Sequence, residues 1–451
     1  MTEHVACFLR NNGEVLLGRR RDEDADDGSE SATGEHETDA DAGNGPDACD
    51  ALCVAVEDDP ETTAVDAAER IVDEATLVRG GDLVYSDDTA LRPFLFDVGG
   101  SISDASLDEA FAETEWAAPT ELLQRETPPG RWRAYESVAP TVRSVAADDE
   151  HGSASLSVRA LEVLRDRAAL IRAESEKGGG GGDDGRRNEA PSSRSESSGS
   201  DDADELFDLA ARLRGVRPSM AALHNRVNRA VAESDETPEG VERAAEEGVE
   251  RALAADADAA SEAAERVAGD GVLTLSRSGT ALSALREADL RKLFVAESRP
   301  GNEGIGVAEA LAAEKTVTLH TDAAVAHVLH EAAVDAVLVG ADTVLPDGSV
   351  VNKTGTRAAA LAADRDGVPF YVVAASDKVT TDETVPLESG DRAAVYDGDA
   401  TVDVRNPTFD VTPPELVERV VTERGALSPD EVSDVADELR GLAERASADA
   451  R

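Results

Sequence analysis

Residues 271–344 read GVLTLSRSGTALSALREADLRKLFVAESRPGNEGIGVAEALAAEKTVTLHTDAAVAHVLHEAAVDAVLVGADTV. Short apolar runs recur in it: VLTL at 272–275, LFVAES at 293–298, TVTLHT at 316–321 and AVLVGADTV at 336–344. PFYVVAAS follows at 369–376. Between the runs lie TALSALREADL, GVAEALAAE and AAVAHVLHEAAV, with apolar residues at three- and four-residue spacing. Strands that are apolar throughout must be covered on both faces. The alternation therefore predicts an α/β Rossmann-like domain with a parallel sheet over 270–451. In such folds ligands gather at the carboxyl ends of the strands.

Upstream, residues 143–269 read as a helical subdomain, carried by SASLSVRALEVLRDRAALIRAE from Ser153 and by helices from Glu205 to about Gly269. The stretch 174–204 interrupts it with low complexity. Its five glycines lack a following helix with Lys-Ser or Lys-Thr, so they read as a linker and not a phosphate loop. Residues 1–142 read as an α+β domain. VACFLRNNGEVLLGRR at 5–20 signals a hairpin, and 21–50 form an acidic insertion with a disordered composition. An amphipathic helix is expected from about Thr62 to Leu77, and LVYS and RPFLFDV are the next strands.

Composition narrows the function. Against 95 Asp and Glu stand 44 Lys and Arg, a net charge of −51 over 451 residues. Only five cations are lysines: Lys177, Lys292, Lys315, Lys353 and Lys378. A carboxylate coat spread through the folded parts suits a high-salt cytoplasm, where salt screens self-repulsion, and points to a halophilic source. It opposes broad nucleic-acid binding. There is no apolar run long enough for a membrane span and no signal-peptide pattern, so a cytoplasmic location is expected. Three cysteines, Cys7, Cys49 and Cys53, make neither a disulfide framework nor a four-cysteine zinc site.

The helix at 62–77 and its lead-in resemble the Nudix box. Ala55 stands for the first Gly, Glu61 matches the first Glu, Glu69-Arg70 replaces Arg-Glu, Ile71 matches, Asp73-Glu74 stands for Glu-Glu and Thr76 replaces the last Gly. The hairpin and the Glu115-Trp116 region extend this resemblance over residues 1–142. Nudix hydrolysis needs carboxylates on one helical face to hold Mg²⁺ against a pyrophosphate. Arg70 puts a cation where a ligand is wanted, so a dead or binding-only domain is expected. No cofactor is expected either, with Mg²⁺ required only if the Nudix domain is active, where Glu69 and Asp73 are the candidates for a displaced metal pair and Glu74 a further candidate ligand. The spacing of Asp66, Arg70 and Glu74 also fits a solvated, salt-bridged face.

VLTLSRSGTAL, VAESRPGNEG, VDAVLVGADTVLPDGSVVNKTGT, PFYVVAASDK and NPTFDVTPPELVERVVTERGAL come in one order and spacing. Together they resemble the translation initiation factor 2B alpha/beta/delta family, which also holds methylthioribose-1-phosphate and ribose-1,5-bisphosphate isomerases. With Arg217-Pro218-Ser219, the resemblance covers about residues 150–440. Read physically, Asn352-Lys353-Thr354-Gly355 opens a helix whose N–H groups, beside Lys353, suit a phosphate, and Arg217 and Arg299 add forked donors. The structural alternative is a buried Glu297–Arg299 pair, with Asn352 merely capping a helix.

The resemblance also implies Glu303 as a ligand contact, and a Cys and an Asp as the isomerases' catalytic groups. The Asp is Asp342. The Cys position is Ser276, a far poorer acid. An Arg-Gly that grips phosphate in the isomerases is His151-Gly152 here. His327 and His330 lack metal-site order and read as structural, and Asp322 reads as an N-cap. These departures favour a non-catalytic, initiation-factor-like regulator binding a sugar phosphate or nucleotide. The alternative is an aldose–ketose isomerase acting on a ribose phosphate such as ribose 1,5-bisphosphate. A Nudix nucleotide-diphosphate hydrolase is weaker still. A homodimer or hexamer is expected, and the resemblance allows a translation-factor partner. Direct nucleic-acid or membrane contact is not expected.

Overall fold

The computed structural model describes residues 2–19, 48–56, 59–86, 89–102, 111–179, 194–387 and 389–448. These form two compact units. One comprises Met1–Thr141, Glu162–Leu206 and Thr237–Glu246, the other Val142–Leu161, Phe207–Glu236 and Glu247–Arg451. The expected helical stretch 143–269 is thus divided between them. Most of the acidic insertion lies outside the described residues, as do 180–193 of the low-complexity stretch. That stretch is not wholly irregular, because helices run through Ser153–Gly179 and Arg194–Val216.

The N-terminal unit is built on one mixed sheet. Its strands are β1 (Thr2–Asn11), β2 (Glu14–Arg19), β3 (Cys49–Asp50), β4 (Leu52–Ala55), β5 (Val72–Gly80), β6 (Val84–Ser86), β7 (Thr89–Ile102) and β8 (Glu113–Ala117). The main order is β3-β2-β1-β7-β5, with β1 parallel to β7. Asn12 and Gly13 both take positive φ, which closes the β1–β2 hairpin with a tight turn. Buried Arg10 lies between Asp97 and Glu162, at 2.6 and 3.1 Å. The buried Tyr135 hydroxyl donates to Asp166 at 2.9 Å. Breaking one partner of such a buried network strands the other, which typically costs about 3–5 kcal/mol.

The helix of this unit starts as its sequence dictates. Asp59 caps it by accepting from the Thr62 amide at 2.9 Å, Pro60 opens it, and Ala64, Ala67, Ala68 and Ile71 face the sheet. It ends at Ile71, six residues before the expected end, because Val72–Gly80 is instead a strand paired antiparallel with β7. Glu69 is on the helix, whereas Asp73 and Glu74 are adjacent, exposed residues of β5. The three carboxylates share no helical face, and among the described residues no group of three or more His, Cys, Asp or Glu is placed to hold a metal ion. Arg70 is a last-turn cation bonded to the Asp66 carbonyl at 3.0 Å, and not part of a side-chain salt-bridge ladder reaching Glu74.

The C-terminal unit carries the α/β fold. β9 (Gly269–Leu275), β10 (Leu290–Ala296), β11 (Thr316–His320), β12 (Ala336–Gly340), β13 (Thr343–Val344), β14 (Val350–Lys353), β15 (Phe370–Val373), β16 (Phe409–Thr412), β17 (Arg419–Thr422) and β18 (Gly425–Leu427) are its strands. Seven make one sheet in the order β11-β10-β9-β12-β15-β17-β18, parallel except for the last pair. One face buries Leu273, Val337, Val339 and Val372 under helices Val325–Glu331, Thr356–Asp366 and Pro429–Ala448. The other buries Val272, Leu293, Val295 and Leu338 under helices Pro238–Arg266, Gly279–Glu287 and Glu303–Leu311. This double covering is why the strands carry apolar residues at successive positions. A smaller sheet, β13-β14-β16, follows the carboxyl end of β12. Among the described residues no helix is long and apolar enough to cross a membrane.

Candidate active site

The site is assembled at the carboxyl ends of β9, β10 and β12. Residue Leu275 pairs with Ala296, and Ala296 with His320, so β9, β10 and β11 end in register. Ser276 and Ser298 then leave the sheet with φ of 62° and 63°. Left-handed backbone at two serines is strained, and the surroundings must hold it. The Ser276 amide donates to Ser298 Oγ at 2.6 Å, and Ser298 Oγ donates to the Ala296 carbonyl at 3.1 Å. Asp322 does not cap its own short helix. Its carboxylate accepts from the Ser298 and Arg299 amides at 2.8 and 2.7 Å, tying the β10 and β11 loops together.

Asp342 follows β12, and its peptide is pinned on both sides. Its amide donates to the Val351 carbonyl at 3.0 Å, and the preceding Ala341 carbonyl accepts from Lys378 Nζ at 2.7 Å. Lys378 is only 5% exposed. It sits in a turn held by Asn225, whose amide donates to the Asp377 and Val379 carbonyls at 2.8 and 2.7 Å. Arg226 bonds Asp377 there at 3.1 Å. Gly340 brings β12 against the loop after β9: an added Cβ would fall on Ser278 Cβ and Oγ, well inside van der Waals contact. Asp342 and Ser276 thus belong to one strand-end cluster.

The anion pocket read from sequence is differently wired. Lys353 Nζ binds Glu303 Oε1 at 2.6 Å and lies 5.9 Å from the Phe409 ring centre. The helix Thr356–Asp366 is already capped by a carboxylate. Asp410 of β16 accepts from the Gly355 amide at 2.8 Å and the Arg357 amide at 3.2 Å. Burial nevertheless raises the Asp410 carboxyl, outweighing those two hydrogen bonds. Asn352 is buried and donates to Thr356 Oγ1 at 3.0 Å, so it supports the first turn from β14 and is not the N-cap, which is Gly355.

The remaining candidates separate. Arg217 donates to the backbone carbonyls of Val145, at 3.2 Å, and Asp148, so its fork caps the end of the helix Val142–Ala147. His151 Nδ1 lies 3.0 Å from Asp148, which also pairs with Arg159. Burial alone would raise Asp148, but its hydrogen bonds with His151 and the charge of Arg159 hold it below the usual carboxylate range. This loop reaches the site through Arg277, which donates to the Glu150 carbonyl at 2.9 Å. The alternative Glu297–Arg299 pair is not formed: Glu297 is half-buried, while Arg299 is exposed and bonds Asn302 at 3.3 Å. His327 and His330 are exposed, with His330 3.7 Å from Asp366.

Sequence reasoning gave Lys378 and Asp410 no role here and read Asp322 as an N-cap. The rarity of lysine was the available signal for Lys378, whereas Asp322 and Asp410 act across loops that only the fold brings together. In the N-terminal unit, a cavity of about 560 Å³ is lined by Arg19, Cys49, Glu113, Glu115 and Arg125. Its cations are already paired, Arg125 with Glu115 and Arg19 with Glu113 at 3.6 Å.

A doubly covered parallel sheet with a polar cluster at its carboxyl edge defines a Rossmann-like α/β unit, a class of fold in which ligands bind at that edge. Residues 149–429 match the initiation factor 2 subunit family, and the chain belongs to it. It is 36% identical over 274 residues to the ribose 1,5-bisphosphate isomerase of Haloferax volcanii, covering 55% of this chain and 84% of that protein. It is 38% identical over 178 residues to the methylthioribose-1-phosphate isomerase of Nostoc punctiforme, covering 36% of this chain but only half of that protein. The crystal structure of the Pyrococcus horikoshii translation initiation factor eIF-2B superposes with a TM-score of 0.50 at 28% identity. That match covers 64% of this chain and 96% of that one. The relatives named as isomerases overturn the expectation of a non-catalytic regulator. That expectation gave Ser276 and His151 more weight than the whole surrounding framework.

Proposed function

We propose that the C-terminal unit is an aldose–ketose isomerase acting on a ribose phosphate such as ribose 1,5-bisphosphate. The observation that carries this reading is Asp342, held at the end of β12 with its peptide pinned by Val351 and Lys378, in a chain 36% identical to a ribose 1,5-bisphosphate isomerase. Isomerisation reduces C1 and oxidises C2 of one molecule, so it balances without an outside oxidant. The protein must open the ring and assist transfer of hydrogen from C2 to C1. Asp342 is the acid/base group. Ser276 supplies a hydroxyl, a weaker acid than the thiol the resemblance implies, and sets a slower rate. Conversion of ribose 1,5-bisphosphate to the 2-ketose, lost in Asp342→Asn, tests this. The first unit is read as a Nudix-like fold without a hydrolase's metal face, supported by its mixed sheet and by the separation of Glu69 from Asp73 and Glu74. A homodimer or hexamer in a salt-rich cytoplasm completes the proposal, supported by the family resemblance and the acidic surface.

A further inference from the structure

We propose that Arg226 is the positioning residue that holds Asp342 and Ser276 at one fixed separation, acting through Lys378 on one side and Thr280 on the other. The inference rests on the reading of Asp342 and Ser276 as the reacting groups. Arg226 lies on the helix Ala221–Glu233 and is only 3% exposed. A charge withdrawn this far from water is costly unless its donors are met.

Each of its five donors has an acceptor. Nε donates to Asp377 Oδ2 at 3.1 Å. One terminal nitrogen donates to Ser157 Oγ at 2.8 Å and to the Ala154 carbonyl at 3.4 Å. The other donates to Asp256 Oδ2 and to the Ala252 carbonyl, both at 3.4 Å. A guanidinium offers five donors in a fixed fork, whereas a lysine ammonium offers three. Arg226 thus joins helices Ser153–Gly179 and Pro238–Arg266 to the turn Ser376–Lys378.

Two arms lead from it to the strand ends. On the first, Asp377 precedes Lys378, whose Nζ holds the Ala341 carbonyl at 2.7 Å and so fixes the peptide that carries Asp342. On the second, Asp256 Oδ1 accepts from Thr280 Oγ1 at 3.1 Å. Thr280 is in the first turn of the helix Gly279–Glu287, just past the loop that Ser276 opens, and Ser278 of that loop caps the helix. Both reacting groups therefore hang from one guanidinium. Moving hydrogen between two carbons needs its acid and base in a set geometry, and a misplacement of about 1 Å can cost about 10²-fold in rate.

Amide-resolved hydrogen exchange and steady-state kinetics, both in molar KCl, test this. The Ser276 amide, held by Ser298 Oγ, and the Asp342 amide, held by the Val351 carbonyl, report the two arms. Arg226→Lys keeps the charge but loses donors. Both amides should then exchange about tenfold or more faster, with those of Leu293 and Val337 in the strands unchanged. Its kcat should fall about 10- to 100-fold, with KM within about threefold of wild type. Thr280→Val should quicken exchange at Ser276 alone, and Asp377→Asn at Asp342 alone, so both arms are decided even if Arg226→Lys does not fold. Wild-type exchange in either single-arm variant would overturn the inference. So would wild-type kcat in folded Arg226→Lys, or exchange quickened equally throughout the strands, which is what a merely structural role would produce. No turnover of ribose 1,5-bisphosphate by wild type would remove the isomerase reading, while exchange would still decide whether Arg226 holds the two loops.

Discussion

Ser276 stands where the isomerases' cysteine is implied, and its consequence is measurable. It is half-buried at the mouth of the sheet, so Ser276→Cys introduces a better acid in place for a small increase in side-chain volume. A rise in kcat of about tenfold or more is expected from steady-state kinetics, and an unchanged or lower kcat would mean Ser276 takes no part in proton movement. Cys7 behaves oppositely to a reactive thiol. Buried between sheet and helix, its sulfur reaches the Ala64 carbonyl at 3.7 Å, and burial pushes its pKa up to about 12. It should stay silent to a thiol reagent at pH 8 until the protein unfolds, whereas the partly exposed Cys53 reacts in the native state. The strand-end place of Asp342 and the place of Lys353 just before a helix were legible in the sequence, whereas Ser276 was singled out only through the family resemblance. The partners of Lys353 were not legible. Glu303 lies 50 residues away and Asp410 caps Gly355 across 55, distances over which only the folded topology makes neighbours.

Elements were legible where one burial pattern had one solution. The strand segments 293–296 and 336–340 are apolar throughout and 272–275 nearly so, and only a doubly covered sheet satisfies that. The helix at 60–71 was overextended because Ala64, Ala67, Ala68, Ile71 and Ala75 keep helical spacing past its end. Pairing of 72–80 with β7 outweighs that local periodicity. The junction of β12 with the loop after β9 allows no side chain at Gly340, so Gly340→Ala should destabilise the unit by about 1–3 kcal/mol through overpacking, read as a lower denaturation midpoint. The loop at Asp148 is pH-sensitive with a definite sign. Its folded pKa lies below the unfolded value, so the stability it gives is complete above about pH 4 and fades as pH falls through the folded value. Asp148→Asn should therefore melt below wild type at pH 7, with the gap closing in acid.

The whole molecule is governed by its charge of −51. Self-repulsion across such a surface weakens as salt shortens its range, from about 10 Å at 0.1 M to about 3 Å at 1 M. The melting temperature should rise between roughly 0.1 M and 3 M KCl, and equal stability in both would remove the salt-adapted reading. Composition alone carries this expectation. It could not decide between regulator and enzyme, because that difference rests on the surroundings of a few strand-end residues. The most direct measurement is therefore turnover of ribose 1,5-bisphosphate in molar KCl, followed by detection of the 2-ketose. Wild type should convert it, and Asp342→Asn should lose about 10²-fold or more of kcat while keeping its fold. No conversion by wild type, or full conversion by Asp342→Asn, would contradict an isomerase built on this site.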